Sequence, residues 1–186
     1  MSSGKDEVKV PLQRTYLLYG VAAIRGSCPA FADGVAALRS FTALSPPMAL
    51  DYLGVFDGFF GGHSAKYLVE RLHVALAKEI ESELHVKDPR FLEEGVDVEV
   101  WWRMIVREAF RVVDDELTRL ITRLMMGMAV GCPAVVALIL EEYLVLASRG
   151  ATRAVIYRGE EALQLTSQVL LPLSSLIYLP CKIFRG

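Results

Sequence analysis

Val55-Phe56-Asp57-Gly58-Phe59-Phe60-Gly61-Gly62-His63 is the stretch that decides how this chain is read. The apolar run Tyr52 to Phe56 delivers an aspartate into a glycine-rich turn, and a helical pattern follows. A strand ending this way holds a carboxylate rigidly at a sheet edge, where it can meet a hard cation. Asp-Gly is also a common turn pair that needs no metal. Both readings of Asp57 stand at this stage, and the same holds for the Asp33-Gly34 pair.

Downstream of the turn, Ser64 to His85 reads as a helix. Ala65, Leu68, Val69, Leu72, Leu76, Ile80 and Leu84 recur at three- and four-residue steps and make one apolar face. Ser64 is the expected N-cap. Asp88 to Asp97 reads as an acidic loop, and Val100 to Met125 as a second helix. Its apolar face carries Trp101, Ile105, Ala109, Val112, Val113, Leu117, Leu120, Ile121 and Leu124; Arg103, Arg107, Asp115, Glu116 and Arg119 make a solvated charged face. The Trp101-Trp102 pair reads as core and helix anchoring. Ala134–Leu140, Tyr143–Ser148, Ala154–Tyr157 and Ala162–Leu165 read as short strands of an antiparallel meander, joined by tight turns at Glu141-Glu142 and Arg158-Gly159-Glu160. Upstream, Tyr16 to Ile24 is expected to be a buried strand. Gly26 to Pro47 is turn-rich. Residues 169–186, with Pro172 and Pro180, fit no regular element. The fold class is therefore α+β: a mainly antiparallel sheet holding 16–24, 51–56 and 134–165, with two long helices packed side by side on one face.

Composition narrows the function. A chain of 186 residues can bury a sizeable core as one domain. Hydrophobic residues make up 53% and the mean hydropathy is +0.37, so much apolar surface must be covered by the fold or by a partner. A net charge of −2 offers no basic footprint, which excludes nucleic acid as the expected partner. Cys28, Cys132 and Cys181 are an odd number without metal-type spacing, and they fit a reducing, intracellular setting, cytoplasmic or nuclear. Met1 to Val10 is polar and lacks the apolar core of a signal peptide. No segment reaches about 18 apolar residues, so no transmembrane segment is expected.

Four blocks in order resemble the metal-dependent type 2C serine/threonine protein phosphatases, in particular their plant members. Tyr19-Gly20-Val21-Ala22-Ala23-Ile24-Arg25-Gly26-Ser27-Cys28-Pro29-Ala30-Phe31-Ala32-Asp33 resembles the family's opening Y-G-x-x-S-x-x-G-R-R-P-x-M-E-D. The Asp57-Gly58 turn resembles V-F-D-G-H-G-G. Val130-Gly131-Cys132-Pro133-Ala134-Val135-Val136-Ala137-Leu138-Ile139 resembles S-G-S-T-A-V-V-A-L-I. Leu146-Ala147-Ser148-Arg149-Gly150-Ala151-Thr152-Arg153-Ala154-Val155 resembles V-A-N-x-G-D-S-R-A-V, and 158–166 continues it. The resemblance implies a two-metal hydrolase. Two Mg²⁺ or Mn²⁺ ions held by carboxylates activate a water for in-line attack on phosphorus. An arginine fork grips the phosphate, and a histidine serves as acid for the leaving group.

The match keeps few of those groups. Asp57, the Gly58 carbonyl and Asp33 remain as metal donors. Ala32 stands where the family has a glutamate, Cys28 where it has the phosphate-binding arginine, Phe59 or Phe60 where it has the histidine, and Ala151 where it has a further aspartate. Later family ligands would fall beyond residue 186. Arg25 lies three positions early for the arginine, and His63 reads as an ordinary residue at the helix start. Residues 1–13 are expected to be a flexible lead, 14–168 a truncated phosphatase-like domain and 169–186 an apolar tail.

Three classes of function follow. The first is a catalytically inactive relative that works as a binding or regulatory module. In that case no catalytic residue and no cofactor are expected, and a protein partner or self-association engages residues 134–184. The second is a divergent, weak serine/threonine phosphatase, with Mg²⁺ or Mn²⁺ on Asp57, Gly58 and Asp33. The third is a gene fragment without function.

Overall fold

The computed structural model describes residues 19–24, 27, 32–43, 50–58, 62–86, 97–124, 131–140, 143–166 and 175–180. The lead at 1–13 and residues Arg25, Cys28, Phe59 and Phe60 lie outside them. The described chain is α+β. Its elements are β1 (Gly34–Leu38), β2 (Asp51–Phe56), α1 (His63–Val86), α2 (Val98–Leu124), β3 (Ala134–Ile139), β4 (Tyr143–Arg149), β5 (Val155–Arg158), β6 (Glu161–Gln164) and β7 (Ser175–Pro180). Five strands form an antiparallel sheet in the order β1-β2-β3-β4-β7, and β5 pairs with β6 in a separate ribbon.

Register explains which side chains meet. Tyr52, Gly54 and Phe56 lie opposite Leu138, Val136 and Ala134, and Val145 and Ala147 stand across from Leu138 and Val136. Alternation puts all of these on one face, and every one is buried. The apolar stripes of the helices meet that face: Leu72, Leu76 and Ile80 of α1, and Trp102, Ile105, Val106 and Val113 of α2, join the same core cluster. The two helices also pack on each other, as the sequence predicts. Tyr67 and Arg71 of α1 clasp Glu116 of α2: the Tyr67 hydroxyl donates at 2.8 Å and Arg71 Nη2 at 3.0 Å. Glu116, expected on the solvated face, is thus turned to α1, while the rest of the charged face of α2 stays in solvent, with Arg103 on Glu99 and Arg111 on Glu108 and Asp115 along the helix.

Four expectations need correction. No strand forms over 19–24, and Tyr16 to Leu18 of that segment fall outside the described residues. Val21 and Ile24 are 57% and 87% exposed, and the Tyr19 ring takes the Arg39 guanidinium at 5.7 Å instead of packing beneath the sheet. The first strand is Gly34–Leu38, inside the stretch read as turns; it is stabilised by its ladder to β2 rather than by strong local preference. The 134–165 meander breaks after β4. Gly150, at φ 83°, lies against Pro133 and turns the chain out of the ladder, so β5 and β6 pair only with each other among the described residues. Finally, the tail is not irregular throughout: Ser175–Pro180 adds to the open edge of β4.

The helix starts are also set differently. Lys66 N–H bonds the Gly62 carbonyl at 2.9 Å, so Gly62, not Ser64, precedes α1 as its cap, and Ser64 is buried within the first turn. Asp97, read as the end of a loop, caps α2. Its Oδ1 accepts the N–H of Glu99 at 3.1 Å and of Val100 at 3.2 Å.

Candidate functional site

The site is the end of the sheet where β1 begins, β2 stops and β3 begins. Register sets Gly34 against Phe56 and Phe56 against Ala134. The residues one step beyond the ladder therefore converge: Asp33 before β1, Asp57 after β2, Cys132 and Pro133 before β3. Asp57 N–H donates to the Pro133 carbonyl at 2.8 Å, and Gly58 N–H donates to Asp33 Oδ1 at 3.3 Å. The two aspartates singled out in the sequence do come together, and the Asp57-Gly58 turn does end a strand.

Glycine is required on this loop. A Cβ on Gly58 would lie 1.9 Å from the Ala32 carbonyl oxygen, and one on Gly62, at φ 74°, would lie 2.7 Å from the same atom. The backbone of Ala32 thus threads between the two glycines and carries Asp33 to Asp57. This is the physical content of the glycine-rich motif here.

The electrostatics of the site are those of a like-charge pair. Burial, then repulsion from Asp33, then a hydrogen bond with Asp33 all push the Asp57 carboxyl above its ordinary value. Burial, followed by the nearby Asp57 and Asp33, pushes the Cys132 thiol up to about 12, so it is a neutral thiol at physiological pH. The sequence leaves Cys132 open between a small buried apolar residue and a reactive thiol. Its place beside the carboxylates was missed, although the Gly131-Cys132-Pro133 block just ahead of an apolar strand was visible.

The other named positions do not add ligands. Ala32 contributes its backbone, and its side chain has no donor. Ala151 is exposed, just past the Gly150 that rests on Pro133. Arg149, two residues before Ala151, is turned to Asp114 of α2 at 3.4 Å. His63 is exposed at the first residue of α1. Cys28, Phe59 and Phe60 lie outside the described residues. Trp101 and Trp102 are 2% and 0% exposed, their rings meet edge to face at 4.7 Å, and Trp102 Nε1–H donates to the Tyr143 hydroxyl at 3.1 Å. They are core, as read. A surface groove of about 420 Å³ between α1 and α2 includes Glu79, Met104, Arg107 and Arg111, away from the aspartate pair.

This arrangement can be tested against the divalent metals that the resemblance implies. A two-metal clamp needs several carboxylates around a shared water. Here the donor set is Asp33, Asp57 and the Gly58 carbonyl, and one Asp33 oxygen already accepts a backbone N–H. Among the described residues no group of three His, Cys, Asp or Glu side chains is arranged to hold a metal ion. The described residues do not fit the pair of metals.

Comparison with known proteins identifies the scaffold. The family model for protein phosphatase 2C matches residues 18–168. Protein phosphatase 2C 56 of Arabidopsis thaliana is 32% identical over 162 residues, covering 80% of this chain and 34% of that protein. Protein phosphatase 2C 50 of Oryza sativa subsp. japonica is 30% identical over 196 residues, covering 89% of this chain and 50% of that protein. A crystal structure of a bacterial serine phosphatase bearing an arginine-to-alanine mutation superposes with a TM-score of 0.51 at 17% identity, over 81% of this chain and 64% of that one. That likeness concerns the fold alone.

The chain belongs to the protein phosphatase 2C family, whose members are metal-dependent serine/threonine phosphatases using Mg²⁺ or Mn²⁺. It spans about a third to a half of the length of these curated relatives. No helix among the described residues is long and apolar enough to cross a membrane.

Proposed function

We propose that this chain is a catalytically silent phosphatase-family module that acts by binding protein, with no metal cofactor of its own. The observation that carries this reading is the composition of the strand-end site. Two carboxylates face each other, the third polar group beside them is a neutral thiol, and alanine occupies both neighbouring acid positions, Ala32 and Ala151. A two-metal hydrolase needs the acids to hold its ions, and it loses orders of magnitude in rate with its positioning and acid groups. The packed core asks for none of these groups. A scaffold that keeps its core and lacks its reactive groups can still present surfaces to a partner; within the 134–184 region β3 and β4 are mostly buried, and the exposed strands β5 and β6 are the candidate surface. The cysteine pattern supports an intracellular setting, cytoplasmic or nuclear.

A weak single-metal phosphatase is the second reading, favoured by the retained convergence of Asp33, Asp57 and Gly58. One assay separates the two. The full chain is offered a phosphoserine or phosphothreonine peptide with Mg²⁺ or Mn²⁺. The expected result is no turnover above the metal-only blank. Metal-dependent turnover that disappears in Asp57→Ala would establish the enzyme reading.

A further inference from the structure

The disagreement between the aspartate pair and the expected metals leaves Asp33 and Asp57 in need of another account. Gly58 is buried and lies past the last rung of the β2–β3 ladder, which ends at Phe56 and Ala134. Its N–H therefore has no strand partner, and a buried N–H must find an acceptor elsewhere. Asp33 Oδ1 supplies it at 3.3 Å, across 25 residues of sequence. The backbone that presents Asp33 is itself fixed by close approach. A Cβ on Gly34 would lie 2.7 Å from Val69 Cγ2 and 3.2 Å from the Ala65 carbonyl oxygen of α1, and Ala32 is held between Gly58 and Gly62. Asp57 is held by its own backbone instead, its N–H on the Pro133 carbonyl. The stretches that adjoin these residues in sequence, 25–31, 59–61 and 125–130, hold no Asp, Glu or His to complete a hard cation's donor set.

We propose that Asp33 is a backbone brace and not a metal ligand: its carboxylate takes the Gly58 N–H and ties the start of β1 to the loop between β2 and α1, so the fold closes this end without a divalent ion. A carboxylate is a stronger acceptor for an N–H than a neutral oxygen. The charge is not essential to the brace, since any side chain that places an oxygen where Asp33 Oδ1 lies can accept the same bond. A metal ligand behaves otherwise, because a hard cation takes its affinity from the carboxylate charge. Asparagine and alanine separate these roles. Asp33→Asn keeps an Oδ1 and removes the charge, whereas Asp33→Ala removes both. Each relieves the repulsion with Asp57, so the difference between them reads the acceptor rather than the charge.

This inference rests on the metal-free reading proposed above. Its test reads stability and a single amide, so it can fail while the phosphopeptide assay still shows no turnover. Thermal melting of the full chain is followed at neutral pH in EDTA and in millimolar Mg²⁺. The wild type is expected to melt at the same temperature in both. Asp33→Asn melts at or above the wild type, and Asp33→Ala melts about 2–4 °C below Asp33→Asn. Hydrogen exchange at the Gly58 amide, read by NMR, locates the effect. That amide is expected to be protected in the wild type and in Asp33→Asn, and to exchange roughly tenfold faster in Asp33→Ala. Equal melting of the two variants, a Gly58 amide indifferent to the substitutions, or a wild type that melts higher in Mg²⁺ than in EDTA would overturn the proposal.

Discussion

Along β2, one residue separates two regions built in different ways. Tyr52 and Phe56 are fully buried among Leu72, Trp102 and Leu138 in a core that runs from the sheet through both helices. Asp57, next in sequence, faces another carboxylate with a neutral thiol alongside. The core is a sum of many small contacts, each dispensable in part. A hydrolytic site is a product of a few groups, each able to abolish the rate when lost. The family's scaffold and the family's chemistry therefore part company within a single strand.

The largest expected effect lies on the core side. Trp102→Ala removes a fully buried indole and its hydrogen bond to Tyr143, at a cost of about 3–5 kcal/mol. Urea denaturation checks this, and a loss under about 1 kcal/mol would show that the helix-covered half is loosely packed.

Gly58→Ala acts at the joint between the two regions. The new Cβ meets the Ala32 carbonyl at 1.9 Å, so the backbone must move, costing about 1–3 kcal/mol or more and breaking the Gly58–Asp33 bond. Gly131→Ala, with nothing within 4 Å of its added Cβ, is the matched control and should change little. Equal effects in the two variants would mean that Ala32 is not held between the glycines.

Tyr52→Phe tests the core at finer scale. The Tyr52 hydroxyl is buried with no hydrogen-bond partner among the described residues. Its removal should be neutral or stabilising, within about 1 kcal/mol. A clear loss would reveal a partner for that oxygen.

The smallest effect is expected at the acidic end. Folding raises the Asp57 carboxyl above its ordinary 3.8, so the folded state favours the protonated form. That contribution is fully present below 3.8 and is lost as pH rises through the raised value. At neutral pH the ionised pair costs stability, and Asp57→Asn should raise the melting temperature. The difference should vanish in acid. A lower melting temperature at neutral pH would mean that something in the protein needs the Asp57 charge.

The sequence made the helices, β2 and most of β3 to β6 legible because their apolar residues recur at helical or strand spacing. It hid β1, because Gly-Val-Ala-Ala-Leu has little strand preference of its own and is ordered by pairing with β2. It hid β7, because Pro172 ahead of it and Pro180 at its end mask a strand that exists by adding to β4. It overstated Tyr19–Ile24, where apolar composition does not guarantee a partner. At the site, Asp33 and Asp57 were legible from their Asp-Gly turns. Cys132 was not, since its proximity depends on the β2–β3 register, which no local pattern encodes.

Calorimetric titration of the full chain with Mn²⁺ tests the central claim most directly, since a phosphatase of this family works through its metals. The account predicts no saturable binding at millimolar metal, because the Asp33–Asp57 pair lacks the further carboxylates a divalent pair requires. Saturable, stoichiometric binding that is lost in Asp57→Asn would contradict it.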